Sequence, residues 1–276
     1  MVAGRRLYNH FIIPERSVTG YVVMPKQDLC FSKPVMNAAG MLGFAPNFRD
    51  SLPWDEFGAF VTNPISLRPR LPAAEPVVID YPGGILLHTG LPNPGFKSAL
   101  KKFSPQWARS DLPVMVHLMA DRPEETVSMV RALEGLENVI AVELGFAPKL
   151  ADDILVLATE MCIGELPLVV NLPAEQALSL SQRLMDAGAA AISMAAPRGT
   201  LPGWDGMLVS GRLYGPSLFP KSLESIQTLV KLGLPVIASG GIHSQENLST
   251  MLAAGALACQ LDIQLWGSKM RMTENK

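Results

Sequence analysis

PLVVNLPAEQALSLSQRLMDAGAAAISMA, residues 167–195, decides how the whole chain is read. Its two ends, PLVVNL and AAISMA, are short continuous apolar runs. Parallel strands buried on both faces have that composition, whereas half-exposed strands alternate. The middle, 174–189, is amphipathic at helical spacing and stops at Gly188, a residue suited to the left-handed turn that ends a helix. Strand, helix and strand in this order make a parallel βαβ unit.

The same unit recurs on both sides. Apolar runs at 34–39, 58–62, 113–118, 139–144, 235–240 and 258–263 predict the other strands. Amphipathic helices are predicted over 123–136, opened by Pro123 and acidic residues, over 222–233 and over 244–256. Eight strands alternating with helices predict an α/β protein with a (β/α)8 (TIM) barrel. A doubly wound open sheet is the competing arrangement, but no GxGxxG follows the first strand. With no linker or break in composition, 1–276 reads as one domain. It divides into an N-terminal β-hairpin extension (6–33) across the barrel bottom, the barrel (34–267) and a polar tail (268–276).

Composition narrows the function. Of 276 residues, 48% are hydrophobic, enough for one large core, and the net charge of -2 offers no footprint for nucleic acid. No apolar run is long enough to cross a membrane, and no signal peptide is recognisable. Cys30, Cys162 and Cys259 are too scattered for a disulfide framework or a zinc site, so no metal is expected. These features predict a cytoplasmic protein, and a homo-oligomer is expected.

In a (β/α)8 barrel, ligands sit at the carboxyl ends of the strands, in the βα loops. GGILLHTGLPNPG (83–95) follows the second strand and therefore lies on that face. It is apolar and rich in Gly and Pro, which suits the wall or lid of a site for a small planar ligand. The reading predicts an irregular loop with His88 and Thr89 facing the central cavity and Asn93 fastening the return.

KPVMNAAGMLG (33–43), FVTNPISLRPR (60–70), YPGGILLHTGLPNPG (81–95), GRLYGPSLFP (211–220) and SGGI (239–242), in this order, resemble the dihydroorotate dehydrogenase family. The resemblance runs from about residue 20 to residue 267. It implies a barrel holding FMN at the strand ends, an oxidoreductase of pyrimidine biosynthesis, and dihydroorotate lying flat on the flavin. It also implies cofactor contacts at Ala39, Gly40, Asn63, Asn171, Gly215, Gly240 and Gly241. Around the substrate it implies Asn37, Thr89, Gly90, Leu91, Asn93 and Glu143.

The chain departs from the family pattern where the chemistry is. Asn63 and Asn171 stand at positions of family lysines, and Leu87 and Gly145 at positions of substrate-holding asparagines. The loop LGFAPK (144–149) has no Cys or Ser base. Asp262 and Ile263 replace a Gly-Thr pair that, in the family, helps bind the flavin phosphate. The expectation is impaired FMN binding and loss of standard dihydroorotate oxidation. Two alternatives stay open: an active FMN oxidoreductase with a changed substrate, and a non-catalytic scaffold or oligomer partner. His88 and His117 are candidate replacement acid/bases, since imidazole titrates near neutrality. Each also reads as a histidine bonded to a loop carbonyl, the reading preferred for both. Glu143 reads either as a base or as a carboxylate paired inside the barrel, and Arg198 and Arg212 either as anion-holding cations or as solvated loop residues.

Overall fold

The computed structural model describes residues 29–266 except Pro76 and Lys149. The expected N-terminal hairpin, apart from 29–33, and the polar tail lie outside the described residues. Eight parallel strands form one sheet: β1 (Val35–Asn37), β2 (Phe60–Val61), β3 (Val114–Met119), β4 (Val139–Gly145), β5 (Leu168–Leu172), β6 (Ala191–Met194), β7 (Val236–Ser239) and β8 (Ala258–Leu261). Their order is β1-β8-β7-β6-β5-β4-β3-β2, in which every strand neighbours its sequence neighbour, as a barrel requires. All eight predicted strands are present. The last is shorter than expected, so Asp262 and Ile263 lie beyond it.

The seam between β1 and β2 is closed differently from the rest. A single parallel bridge joins Met36 and Ala59, and Gly58 N donates to Val35 O at 2.8 Å. The side chain of Asn37 then acts as a length of backbone. Its Oδ1 accepts from Val61 N at 3.0 Å and its Nδ2 donates to Val61 O at 2.6 Å. Asn37, expected to line the substrate pocket, is fully buried in this seam.

Among the described residues, six complete α-helices flank the sheet: α1 (Phe96–Ala108), α2 (Pro123–Leu133), α3 (Asp152–Met161), α4 (Ala174–Asp186), α5 (Phe219–Lys231) and α6 (Gln245–Ala253). Pro123 sits at the start of α2, followed by Glu124 and Glu125, where a proline loses no hydrogen bond and acids suit the helix dipole. Ser244 caps α6 by accepting from Asn247 N at 3.1 Å. The predicted helices over 123–136, 174–189 and 244–256 each end three residues early. The helix predicted over 222–233 starts and stops earlier, as α5.

The segment after β2 is not an irregular loop. Val77–Tyr81 and Gly84–His88 form a β-hairpin, joined by Pro82-Gly83 with Gly83 at φ 94°. Proline followed by a glycine at positive φ suits a type II turn. A second hairpin, Arg198–Pro202 with Leu208–Tyr214, follows β6. The two hairpins join edge to edge, Leu86 opposite Leu213, into a four-stranded antiparallel cap sheet.

Candidate functional site

The barrel interior is built in layers. Met36, Ala59, Val61, Met115, Ala141, Val169, Ala191, Ile237 and Ala258 form one apolar cluster. Side chains alternate along a strand, so the residue two places on also points inward. On the six strands from β3 to β8 those residues are His117, Glu143, Asn171, Ser193, Ser239 and Gln260, all buried. A polar layer thus lies over an apolar floor, toward the carboxyl ends of the strands.

Glu143, with no solvent exposure, is the centre of that layer. Its Oε2 lies 2.6 Å from His117 Nδ1. Its Oε1 accepts from Ser193 Oγ at 2.6 Å and from Gln260 Nε2 at 2.7 Å. Asn171 Nδ2 donates in turn to Ser193 Oγ at 2.9 Å. Burial pushes the Glu143 carboxyl up, but the bond and charge of His117, with Ser193 and Gln260, outweigh it and hold the group below the usual carboxylate range. Three other strands, β3, β6 and β8, therefore supply one carboxylate with its partners, as a buried charge requires.

His117 is fixed on several sides. Its backbone N donates to Thr62 Oγ1 at 3.0 Å, and its carbonyl accepts from Ile65 N at 2.9 Å. A Cβ placed on Gly145 would fall far inside van der Waals contact with Nε2 of the His117 ring. The ring therefore fills the space that a side chain at position 145 would need.

The other expected site residues are spread around this core. Asn63 Oδ1 accepts from Gly43 N at 3.0 Å, tying the loop after β1, which carries Ala39 and Gly40, to the loop after β2. Asn93 fastens the return from the first hairpin. Its Oδ1 accepts from Ser66 N, Ser66 Oγ and Gly95 N, and its Nδ2 donates to Leu91 O. Thr89 Oγ1 accepts from Leu91 N at 3.2 Å, and Gly90 at φ 76° packs against the Ala73 backbone. Gly215 lies so close to the Gly83–Gly84 backbone that a Cβ would collide with Gly83 O.

His88 lies at the end of the first hairpin. It pairs with Val77 in the cap sheet and shares a face with Leu86. The opposite face carries Ile85 and Leu87, which pack with buried Tyr214 on the main core cluster. Both faces of the strand are therefore packed, with Leu86 on the face of His88 fully buried. The histidine that sequence reasoning missed is His243, in the loop between β7 and α6. Its Nε2 lies 4.0 Å from Asp262 Oδ1, and neither atom has a hydrogen-bond partner.

Parallel strands closed on themselves, a polar layer at their carboxyl ends and a cap made from two βα connections define a (β/α)8 barrel with its site in the βα loops. Residues 25–149 match the family model for dihydroorotate dehydrogenase. The chain is 30% identical to the dihydroorotate dehydrogenase B (NAD(+)) catalytic subunit of Pelobacter propionicus, over 83% of this chain and 82% of that one. It is 29% identical to the protein of that name from Geotalea uraniireducens, over 83% and 82%, and 27% to that from a Geobacillus strain, over 83% and 80%. This chain belongs to the dihydroorotate dehydrogenase family.

The FMN that the resemblance implies meets a poor fit. Gly240 and Gly241 keep positive φ values of 96° and 76° at the end of β7. The neighbouring strand end, however, carries Asp262, whose side chain is buried. A carboxylate placed there opposes a second anion.

Proposed function

We propose that this chain is a divergent dihydroorotate dehydrogenase-family barrel that does not oxidise dihydroorotate by the family's flavin route. The observation that carries the reading is the His117 ring in the side-chain space of position 145. The resemblance puts a substrate-holding asparagine there, and ring and side chain exclude each other. The surroundings support the same reading. Asn63 and Asn171, at the lysine positions, are neutral amides engaged with Gly43 and Ser193. Neither supplies the positive charge that would stabilise a substrate carboxylate or a reduced flavin. A missing general base removes a contribution of about a hundredfold to ten-thousandfold.

The test is an assay of the purified protein with dihydroorotate, added FMN, and NAD, fumarate and a quinone as acceptors. The expected result is no turnover above background. Turnover of about one to a thousand per second refutes the proposal.

One observation favours a second reading, an acid/base function on a different small planar ligand. Glu143 holds His117 Nδ1 at 2.6 Å and so orients the imidazole, leaving Nε2 on the side of the β4 loop. Saturation-transfer NMR with a panel of planar heterocycles, repeated on His117→Gln, checks it. Binding that survives the substitution unchanged counts against it.

A further inference from the structure

Two buried polar atoms without hydrogen-bond partners face each other at the carboxyl ends of β7 and β8. They are Nε2 of His243, in the loop between β7 and α6, and Oδ1 of Asp262, just past the end of β8, 4.0 Å apart. The Asp262 side chain is 3% exposed and that of His243 23%. Nearly all buried polar groups in native proteins are bonded, so a facing pair that is not marks a place where a third group completes the bonding. The backbone holds both residues where they are. His243 N donates to Asn247 Oδ1 at 3.2 Å, in the capped first turn of α6. The carbonyl of Leu261 accepts from Ala38 N at 2.7 Å, and that of Asp262 accepts from Leu265 N at 3.0 Å.

The separation selects the third group. A direct N–H···O bond needs about 2.7–3.2 Å, which the pair exceeds. A tetrahedral zinc with bonds of about 2.1 Å would draw its nitrogen and oxygen ligands to about 3.4 Å, and an octahedral ion would draw them closer still. Among the described residues no group of three or more His, Cys, Asp and Glu is placed to hold a metal ion. One hydrogen-bonded atom about 2.8 Å from each, with an angle of about 90° between its two bonds, spans the pair. A carboxylate oxygen only accepts, whereas imidazole Nε2 donates or accepts according to its tautomer. A hydroxyl donates and accepts at one oxygen, so it serves the carboxylate together with either tautomer.

We propose that His243 and Asp262 hold between them one hydroxyl group of a neutral polyol or sugar. Both residues lie where a (β/α)8 barrel binds its ligands, and the partly exposed His243 ring leaves the place open to solvent on one side. A site built to bond a hydroxyl discriminates strongly against an analogue without it, because its own buried polar groups are then left unpaired.

The inference concerns recognition and stands apart from the proposed loss of oxidation. Binding to the full-length protein decides it without any turnover. Erythritol and D-xylose are the probes, and fully O-methylated erythritol, which accepts but cannot donate, is the control. Saturation-transfer NMR is expected to show both polyols bound to the wild type and the methylated control bound at least tenfold more weakly. Asp262→Ala and His243→Phe are each expected to weaken polyol binding tenfold or more. In wild-type protein carrying 15N-histidine, the His243 Nε2 resonance, assigned with His243→Gln, is expected to move on adding erythritol and not on adding the control.

A wild type that shows neither transfer nor a moving resonance holds a buried water only, and overturns the inference. Equal binding of the methylated control, or folded variants of both kinds that bind the polyols as the wild type does, also overturns it. If neither variant folds, the wild-type resonance and the methylated control decide. Oxidation of dihydroorotate by the wild type refutes the functional proposal and leaves this inference standing. Failure to bind polyols does the reverse.

Discussion

Replacing Glu143 by leucine tests the polar layer directly. The substitution is close in volume, so it removes charge and acceptors more than packing. It leaves His117 Nδ1, Ser193 Oγ and Gln260 Nε2 facing an apolar side chain inside a barrel where Glu143 has no exposure. Breaking a buried pair by removing one partner costs about 3–5 kcal/mol. For a protein of this size each kcal/mol shifts the melting temperature by about 2–4 °C, so Glu143→Leu is expected to melt roughly 6–20 °C below the wild type. Scanning calorimetry or circular dichroism reads this. The pH dependence carries a sign as well. The folded carboxyl lies below its ordinary value, so its stabilising contribution is complete above the unfolded range, near 4.3. It is lost as the pH falls through the lowered folded value, and Glu143→Leu is expected to lack that acid-side loss. The companion variant His117→Phe, alone and combined, completes a double-mutant cycle. The combined variant should recover part of the loss, since an apolar pair replaces a broken one. A Glu143→Leu variant within 1 kcal/mol of the wild type, or strict additivity in the cycle, refutes the view that these residues form one satisfied network.

Other expectations follow from single positions. Gly145→Asn drives a side chain into the His117 ring and should destabilise by about 1–3 kcal/mol, with much of that recovered when His117 is also cut to alanine; chemical denaturation of the three variants measures it. Burial raises the Asp262 carboxyl, so the folded protein holds its proton over a window where the unfolded chain has released it. Stability should therefore fall as the pH rises from the ordinary carboxylate range through the raised value, and Asp262→Asn should remove that slope in pH-dependent melts. Burial also pushes the Cys162 thiol up to about 11, against a small lowering by Arg131, and the Cys259 thiol up to about 12. In a native thiol titration with an aromatic disulfide, Cys30, which is exposed, should react and the other two should wait for denaturant.

The barrel was legible because parallel strands buried on both faces leave long apolar runs, and each of those runs became a strand. The cap was not, because Gly83 and Gly84 look like loop residues when read apart from their neighbours. Read together, Tyr81-Pro82-Gly83-Gly84 is a turn signature between two β-rich runs, and Gly203-Trp204-Asp205-Gly206 marks the second hairpin. Only a strand's alternation fixes the face of a residue, so the hairpin, and not a loop, puts His88 on the face of Leu86. The polar layer also had a signal. Met115 and His117, Ala141 and Glu143, Val169 and Asn171, Ala191 and Ser193, and Ala258 and Gln260 repeat one apolar-to-polar step along five strands. No such signal led to the Asp262–His243 pair. Its two members come from different strand ends, and only the closed barrel sets them 4.0 Å apart.

The cap sheet has a consequence for the order in which the chain becomes ordered. Each hairpin pairs with itself locally, but the junction joins Ile85–Leu87 to Arg212–Tyr214, segments separated by β3, β4, β5 and β6 with their helices. A contact of such high sequence separation gains little until the intervening strands have closed the distance. Pulse-labelled amide exchange should accordingly protect β3 to β5 before the hydrogen bonds between the hairpins. The junction between the hairpins is thus a long-range zipper, and it is expected to form last, after the strands that separate its two halves have paired.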